Sequence, residues 1–288
     1  MPAKVFSAAV VGLEGALVEV EADNSPHGNP GIFIVGLPDK AVDESKSRVR
    51  SAIKNSDLEF PRGNVTVNLA PADLRKYGTY YDLPIALSCL LQAGQLDAVG
   101  DLAKDLFIGE LALNGDLRPV SGTLSISMLC KDRGIPNLFL PEGNATEAAL
   151  VSGVNIHPVK NLKQLIEHLK GTQKIEPFVY EADFFLTESN FLVDMSYVRG
   201  QEHAKRALEI AAAGSHNLLM SGPPGSGKTM LAKALPSILP RMMEAESLEV
   251  TRIYSAAGML SIDQPLINVR PFRSPHHTAS GVARIMVR

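Results

Sequence analysis

The chain has 288 residues, of which 45% are hydrophobic and 20% charged, and its formal net charge is −3 at pH 7. That length allows two domains, each with its own core, and the composition excludes a disordered chain. The slight negative charge excludes a global basic field that would recruit nucleic acid, so any such contact must be local.

From the N-terminus, Val5 to Val11 is too short and too weakly flanked by positive charge for a signal peptide, and Glu14, Glu19 and Glu21 follow it. It reads as strand. Gly15 to Glu21 alternates apolar and acidic residues with period two, which predicts a half-buried strand, and Gly31 to Val35 predicts a short buried one. Lys40 to Asn55 sets Val42, Val49 and Ile53 on one side, as in an amphipathic helix. Next come a strand over Val65 to Leu69, an apolar helix over Leu83 to Ala93, and a strand over Phe107 to Leu113 turned by Asn114-Gly115. The alternation continues with a helix at Ile126 to Lys131, a strand at Asn137 to Leu140, a helix at Ala145 to Val151 and a strand at Val154 to Val159. Asn161 caps a last helix that Gly171 ends. Residues 1–171 therefore form one α/β or α+β domain with mixed strand pairing.

Cys89 and Cys130 each lie in an apolar, helix-like run with no CxxC spacing. They predict buried reduced thiols, which fits a cytoplasmic address. No run reaches the roughly 18 apolar residues that a membrane helix needs.

Periodicity lapses after Thr172, so residues 172–195 are the expected linker to a second domain over 196–288. An Ala-rich helix from Gln201 to Ala213, stopped by Gly214, precedes a short apolar strand at Asn217 to Met220. Then comes Gly222-Pro223-Pro224-Gly225-Ser226-Gly227-Lys228-Thr229, which satisfies GxxxxGK[ST] at every fixed position, and a helix-forming run from Met230 to Leu235. Each residue type has a chemical reason. The glycines let successive N–H groups face phosphate oxygens, Lys228 reaches the β and γ phosphates, and the Thr229 hydroxyl completes a Mg2+ shell. ATP and Mg2+ are the expected ligands.

With Val198-Arg199-Gly200-Gln201, Leu248 to Ile253 and Arg270-Pro271-Phe272-Arg273-Ser274-Pro275-His276-His277, this motif resembles the ComM/YifB family of magnesium-chelatase-like AAA+ ATPases over almost the whole chain. The resemblance implies that Val198 and Gly200 line an adenine pocket and that the Arg-Pro-Phe-Arg-Ser-Pro-His-His stretch belongs to an insert in the ATPase module. It further implies a homo-hexameric ring acting on DNA, as in branch migration during natural transformation. Adjacent residues of an extended chain point to opposite faces, so His276 and His277 suit a structural or DNA-facing loop better than a metal site. Arg270 and Arg273 are candidate phosphate contacts, and so, more speculatively, are Lys40, Lys46, Arg48 and Arg50 on the first helix.

An ATPase of this class also needs an apolar strand ending in Asp-Glu, for Mg2+ and for the attacking water. The nearest candidate, Met259 to Gln264, offers only Asp263 and falls in the segment resembling the insert. From Gly281 to Arg288 the sequence departs from the family's pattern, so the expectation is an AAA+ module cut short before its Walker B strand, sensors and arginine finger. Residues 1–171 resemble the Lon-protease-like domain, of the ribosomal S5 domain 2-like fold. Lys76 to Pro84 carries no serine where that resemblance places the nucleophile, and Leu124 stands about where the base lysine would be, so acyl transfer is not expected. Two readings stay open: a DNA-directed ATPase, and a nucleotide-binding fragment that hydrolyses nothing.

Overall fold

A computed structural model describes residues 2–25, 31–96, 98–180, 191, 193–261 and 264–274. Asp263, His276, His277 and the segment from Gly281 to Arg288 lie outside the described residues. The chain divides into two compact units, residues 1–181 with 254–265, and residues 182–253 with 266–288.

The first unit is built on a seven-stranded mixed sheet. Strands β1 (Ala3–Val11) and β2 (Glu14–Ser25) form a hairpin in which Val11 faces Glu14 across a turn that Gly12 enters at φ +63°. Strand β3 (Gly31–Val35) runs parallel to β4 (Asn64–Ala70), with helix α1 (Lys40–Asn55) as the crossover. Strands β5 (Asp105–Phe107), β8 (Asn137–Pro141) and β9 (Asn155–Val159) extend the sheet in parallel beyond β1, in the order β3-β4-β2-β1-β5-β8-β9. Its two faces bury different residues. Val5, Ala9, Phe107 and Phe139 face a core with α1, α2 (Asp82–Gln92) and α5 (Leu162–Leu169), whereas Ala8, Leu106, Leu138 and Ile156 face one with α3 (Thr123–Arg133) and α4 (Ala145–Ala148). Helices on both faces explain why β5 and β8 are buried on successive residues, whereas β2, β3 and β4 are buried on alternate ones. Cys89 in α2 and Cys130 in α3 are buried as expected, and burial pushes both thiols up to about 12.

One expected strand is broken. Phe107 to Leu113 is not continuous: β5 ends at Phe107, Gly109 takes φ +154°, and a separate hairpin of β6 (Glu110–Leu111) and β7 (Leu117–Arg118) surrounds Asn114-Gly115. The diversion has a hydrogen-bond cause. Gly109 N–H donates to Tyr80 O at 3.0 Å and Leu83 N–H to Gly109 O at 3.1 Å, which draws the chain onto the start of α2 and away from the sheet.

An ion pair fixes α1 against α2. Arg48 donates from Nε to Asp82 Oδ2 at 2.6 Å and from Nη2 to Asp82 Oδ1 at 3.0 Å, and Leu111 N–H adds a third bond to Oδ2 at 3.1 Å. Asp82 is fully buried. Burial pushes its carboxyl up while Arg48 pulls it down, and Arg48 in turn is held above its usual value by its bond to Asp82. The fork gives both carboxylate oxygens a charge-assisted partner. Arg48 is therefore spent inside the fold and is withdrawn as a candidate nucleic-acid contact. Lys46 pairs with Asp43, and Arg50 lies 5.5 Å from the Phe60 ring centroid.

At the far edge of the sheet, Phe107, Phe139 and His157 stand at one register across β5, β8 and β9, and their rings stack at centroid distances of 5.0 and 4.5 Å. His157 and His168 both grip Ile175. A carbonyl only accepts, so His157 Nδ1 donates to Ile175 O at 3.1 Å; an amide only donates, so His168 Nδ1 accepts from Ile175 N at 2.8 Å. Burial lowers both imidazoles below their ordinary value; for His157 its own bond to Ile175 O opposes that, followed by Asp105 and Glu176, and for His168 the neighbouring His157 and Lys174 reinforce it while Glu176 opposes it.

The second unit contains α6 (Glu202–Gly214), α7 (Lys228–Ala234) and the greater part of α8 (Glu244–Ala256). Its buried core is small: Val198, Leu208, Leu231 and Ala234, lined by Val193, Met195, Ala204, Met220, Leu235 and Ile238. The expected strand at Asn217 to Met220 is not formed. Among the described residues of this unit no strand pairs with it, and Leu219 is 94% exposed. An extended segment becomes a strand only through a neighbour's ladder of hydrogen bonds. Gly214 is the last residue of α6, and Ser215 makes the left-handed exit at φ +52°.

Two outcomes follow. Arg48→Ala strands the Asp82 charge and lowers the stability of the first unit by about 3–5 kcal/mol, measured by urea unfolding; a loss under about 1 kcal/mol would show that water already reaches the pair. For the histidine clasp, the folded pKa values lie below the unfolded value of about 6.5, so the unfolded chain binds protons first as pH falls. The clasp's contribution is full above about pH 6.5 and declines below it, and hydrogen exchange at the Ile175 amide, corrected for its intrinsic rate, accelerates between about pH 7 and pH 5. Flat protection over that range would show that the bond from Ile175 N–H to His168 does not depend on a neutral ring.

Candidate nucleotide-binding site

The loop before α7 takes its form from three glycines. Gly222, Gly225 and Gly227 have φ of +157°, +78° and +85°. A Cβ at Gly225 or Gly227 would meet nothing within 4 Å, so backbone conformation rather than crowding requires glycine at both. At Gly222 a Cβ would stand 3.3 Å from Ser226 Oγ, so space is short there as well. Gly227 is the N-cap of α7 and its carbonyl accepts from Leu231 N at 3.0 Å. Pro223, Pro224, Gly225 and Gly227 are exposed, Ser226 is half-buried, and Ser226 N–H closes the turn on Pro223 O at 3.4 Å.

Lys228 occupies the middle of this loop. Its Nζ donates to Gly222 O and Pro223 O, both at 2.8 Å, and to Ser226 Oγ at 3.2 Å. Thr229 follows on the first turn of α7 and is exposed. An ammonium held by its own loop's carbonyls can exchange them for phosphate oxygens, and the left-handed glycines give the backbone curvature of an anion-binding nest. The residues fit a polyphosphate. For Mg2+, no group of three or more His, Cys, Asp or Glu side chains converges among the described residues. The ion would be held by phosphate oxygens, water and the Thr229 hydroxyl.

Beside the loop lies a cleft of about 400 Å³ whose walls include Gln201, His203, Ala204 and Ala207, residues 218–223, Ser226 and Lys228. Val198 is buried in the unit's core and Gly200 enters the turn before α6 at φ +69°. Neither is on the cleft wall, where their neighbour Gln201 stands. Arg270, a candidate phosphate contact, is engaged elsewhere: Nη2 bonds both Glu246 carboxylate oxygens at 3.0 and 2.8 Å, and Nε donates to Pro240 O at 2.9 Å. Outside this unit, Leu124 is fully buried and its N–H donates to Glu147 Oε1 at 2.8 Å, so an apolar side chain stands where a catalytic lysine was sought.

Residues 18–144 match the family described as subunit ChlI of Mg-chelatase, and residues 194–286 match magnesium chelatase, subunit ChlI; the second match runs past Ser280. The chain is 43% identical over 284 residues to the competence protein ComM of Haemophilus influenzae, covering 96% of this chain and 54% of that protein. It is 41% identical over 282 residues to the uncharacterised protein YifB of Escherichia coli, covering 98% of this chain and 54% of YifB. A shorter stretch of 57 residues, 20% of this chain and 8% of the relative, is 42% identical to the archaeal Lon protease of Archaeoglobus fulgidus. The chain spans about half the length of the ComM and YifB proteins it matches.

Gly227→Ala forces a Cβ into the left-handed region and costs about 1–2 kcal/mol in the loop conformation. The expected readout is a lower melting temperature of the second unit, with faster amide exchange in residues 222–231. Unchanged exchange there would mean the loop does not hold this conformation in solution.

Proposed function

Because the chain belongs to the ComM/YifB family of magnesium-chelatase-like AAA+ proteins, we propose that its second unit binds Mg-ATP through Gly222 to Thr229. The observation that carries this reading is the Lys228 ammonium, centred in a glycine-formed loop and bonded to that loop's own carbonyls. On binding, Lys228 exchanges two carbonyls and a hydroxyl for oxygens of the β and γ phosphates. The charge-assisted bonds it gains are roughly twice as strong as neutral ones. The N-terminal dipole of α7, continued by the helical turn Leu235–Ile238, favours the same negative charge. Thr229 would contribute its hydroxyl to the Mg2+ that accompanies the nucleotide.

For the whole protein we propose a DNA-directed ATPase working as a homo-hexamer, supported by the likeness to a relative named as a competence protein. Hydrolysis needs a carboxylate to orient water, and Asp263, the candidate nearest the expected pattern, lies outside the described residues. Nucleotide binding without hydrolysis by this chain is therefore the second reading. The first unit is proposed to be a Lon-protease-like domain kept for its architecture, since Leu124 is apolar and buried and residues 76–84 lack a serine.

Equilibrium binding of Mg-ATP, measured together with phosphate release, tests the proposal on the wild type and Lys228→Ala. The substitution is expected to weaken binding by about 1.5–3 kcal/mol, the worth of a hydrogen bond to a charged group. Equal affinity in the two proteins, or none in the wild type, would sink the proposal. Turnover that depends on Lys228 selects the ATPase, and binding without turnover selects the second reading.

A further inference from the structure

The sheet of the first unit ends on an unguarded strand. Among the described residues β3 pairs only with β4, and its other edge is open. Edge strands are ordinarily protected from pairing with another chain by a charged side chain, a proline or a bulge. Gly31 to Val35 contains no charged residue and no proline, and its register with β4 runs without a bulge. Gly31 N–H donates to Gly63 O, so Gly31, Phe33 and Val35 bond toward β4, and the N–H and C=O groups of Ile32 and Ile34 point to the open edge. Ile32 and Ile34 bury their side chains in the core that α1 covers, whereas Phe33 and Val35 on the other face are 55% and 46% exposed.

We propose that this edge is a two-fold interface with a second copy of the chain, in which β3 pairs antiparallel with the partner's β3 about an axis at Phe33. The register is self-complementary. Ile32 stands opposite the partner's Ile34, and Ile34 opposite the partner's Ile32, so every outward backbone group of the two strands is bonded. Phe33 meets the partner's Phe33 as a close cross-strand pair on the exposed face, and Val35 lies opposite the partner's Gly31, where no side chain crowds it. Charge favours the same pairing. Helix α2 stands over β1 and β2, and α1 over β3 and β4. From Val49, which faces the sheet, Arg48 turns toward α2 and Asp82; at about 100° per residue, Arg50 and Asp43 turn to the opposite flank, above the open edge. Two copies of α1 would stand roughly 10 Å apart, two strand spacings, which is an ordinary helix packing distance. The axis sets them antiparallel, so Asp43, which holds Lys46 in its own helix, lies beside the partner's Arg50. A two-fold contact closes on itself, so it joins copies from different rings and not neighbours within one.

Sedimentation equilibrium of the full chain without nucleotide, over a dilution series, reads the association. Wild type is expected to pair. Phe33→Lys sets like charges opposite each other at the axis and is expected to raise the dissociation constant roughly tenfold or more, with the melting temperature unchanged because Phe33 is exposed. Asp43→Arg and Arg50→Asp are each expected to weaken pairing and the double substitution to restore it, which damage to the fold would not do. Phe33→Cys is expected to cross-link copies under mild oxidation, because the Cα atoms of such a pair stand about 4.5 Å apart. Thr66→Cys, at the same register one strand further in, is expected not to. A wild type that stays monomeric, a Phe33→Lys protein that associates as the wild type does, a double substitution that restores nothing, or equal cross-linking by both cysteines overturns the interface.

Discussion

A strand needs a neighbour, because each of its residues carries an N–H and a C=O that must be paired once water is excluded. The first unit meets that need with seven strands in one sheet and helices on both faces, and side chains such as Val5, Val20, Leu69 and Leu138 reach zero exposure. Among its described residues the second unit rests on helices and turns alone. One buried cluster, Val198, Leu208, Leu231 and Ala234, ties α6 to α7 and so holds the two walls of the cleft together. The functional loop is thus suspended between two helices, and the Leu218-Leu219 segment leading into it stays exposed.

That arrangement makes the loop depend on local chemistry. With open space around Gly225 and Gly227, no tertiary neighbour forces their positive φ; glycine permits it, and the three bonds of Lys228 to Gly222, Pro223 and Ser226 hold it. A nucleotide would take over that role. Each bond that Lys228 gave up would be replaced by a stronger one to an anion, and each curled amide would gain a phosphate oxygen. Stability gained from a ligand in this way grows with its concentration over Kd, which makes loop order and occupancy one equilibrium.

How much of this was legible beforehand depended on how local each signal was. Lys40 to Asn55 and the Asn161 cap were set by periodicity and by one side chain, and the structure has a helix and an Asn161–Gln164 bond there; Gly31 to Val35 is the expected strand but only half-buried, with Phe33 and Val35 exposed. The glycine spacing of the loop was equally local, because at Gly225 and Gly227 conformation alone demands glycine. Partners distant in sequence were invisible: Arg48 looked like a surface charge until Asp82, 34 residues on, accounted for it. The clasp of His157 and His168 on Ile175 carried no sequence signal, since it follows from a register across three strands and a bond to backbone. Asn217 to Met220 failed for the opposite reason: its apolar run was read correctly, but strand formation belongs to the neighbour as much as to the run.

The contrast between Leu124 and Lys228 shows why a function is read from a site and not from a fold. Both stand near the start of a helix preceded by a left-handed glycine, Gly122 for α3 and Gly227 for α7. At α3 the buried N-terminal pole of the helix is already answered from within the chain, by Glu147 bonding Leu124 N–H, and a second anion brought there would meet that carboxylate. At α7 the pole faces a loop with no acidic side chain, and the one strong charge is a lysine bonded to carbonyls it can release. Two similar backbone turns therefore have opposite electrostatic outcomes, one closed by a native carboxylate and one open to a phosphate, and the difference lies in a single side chain at each.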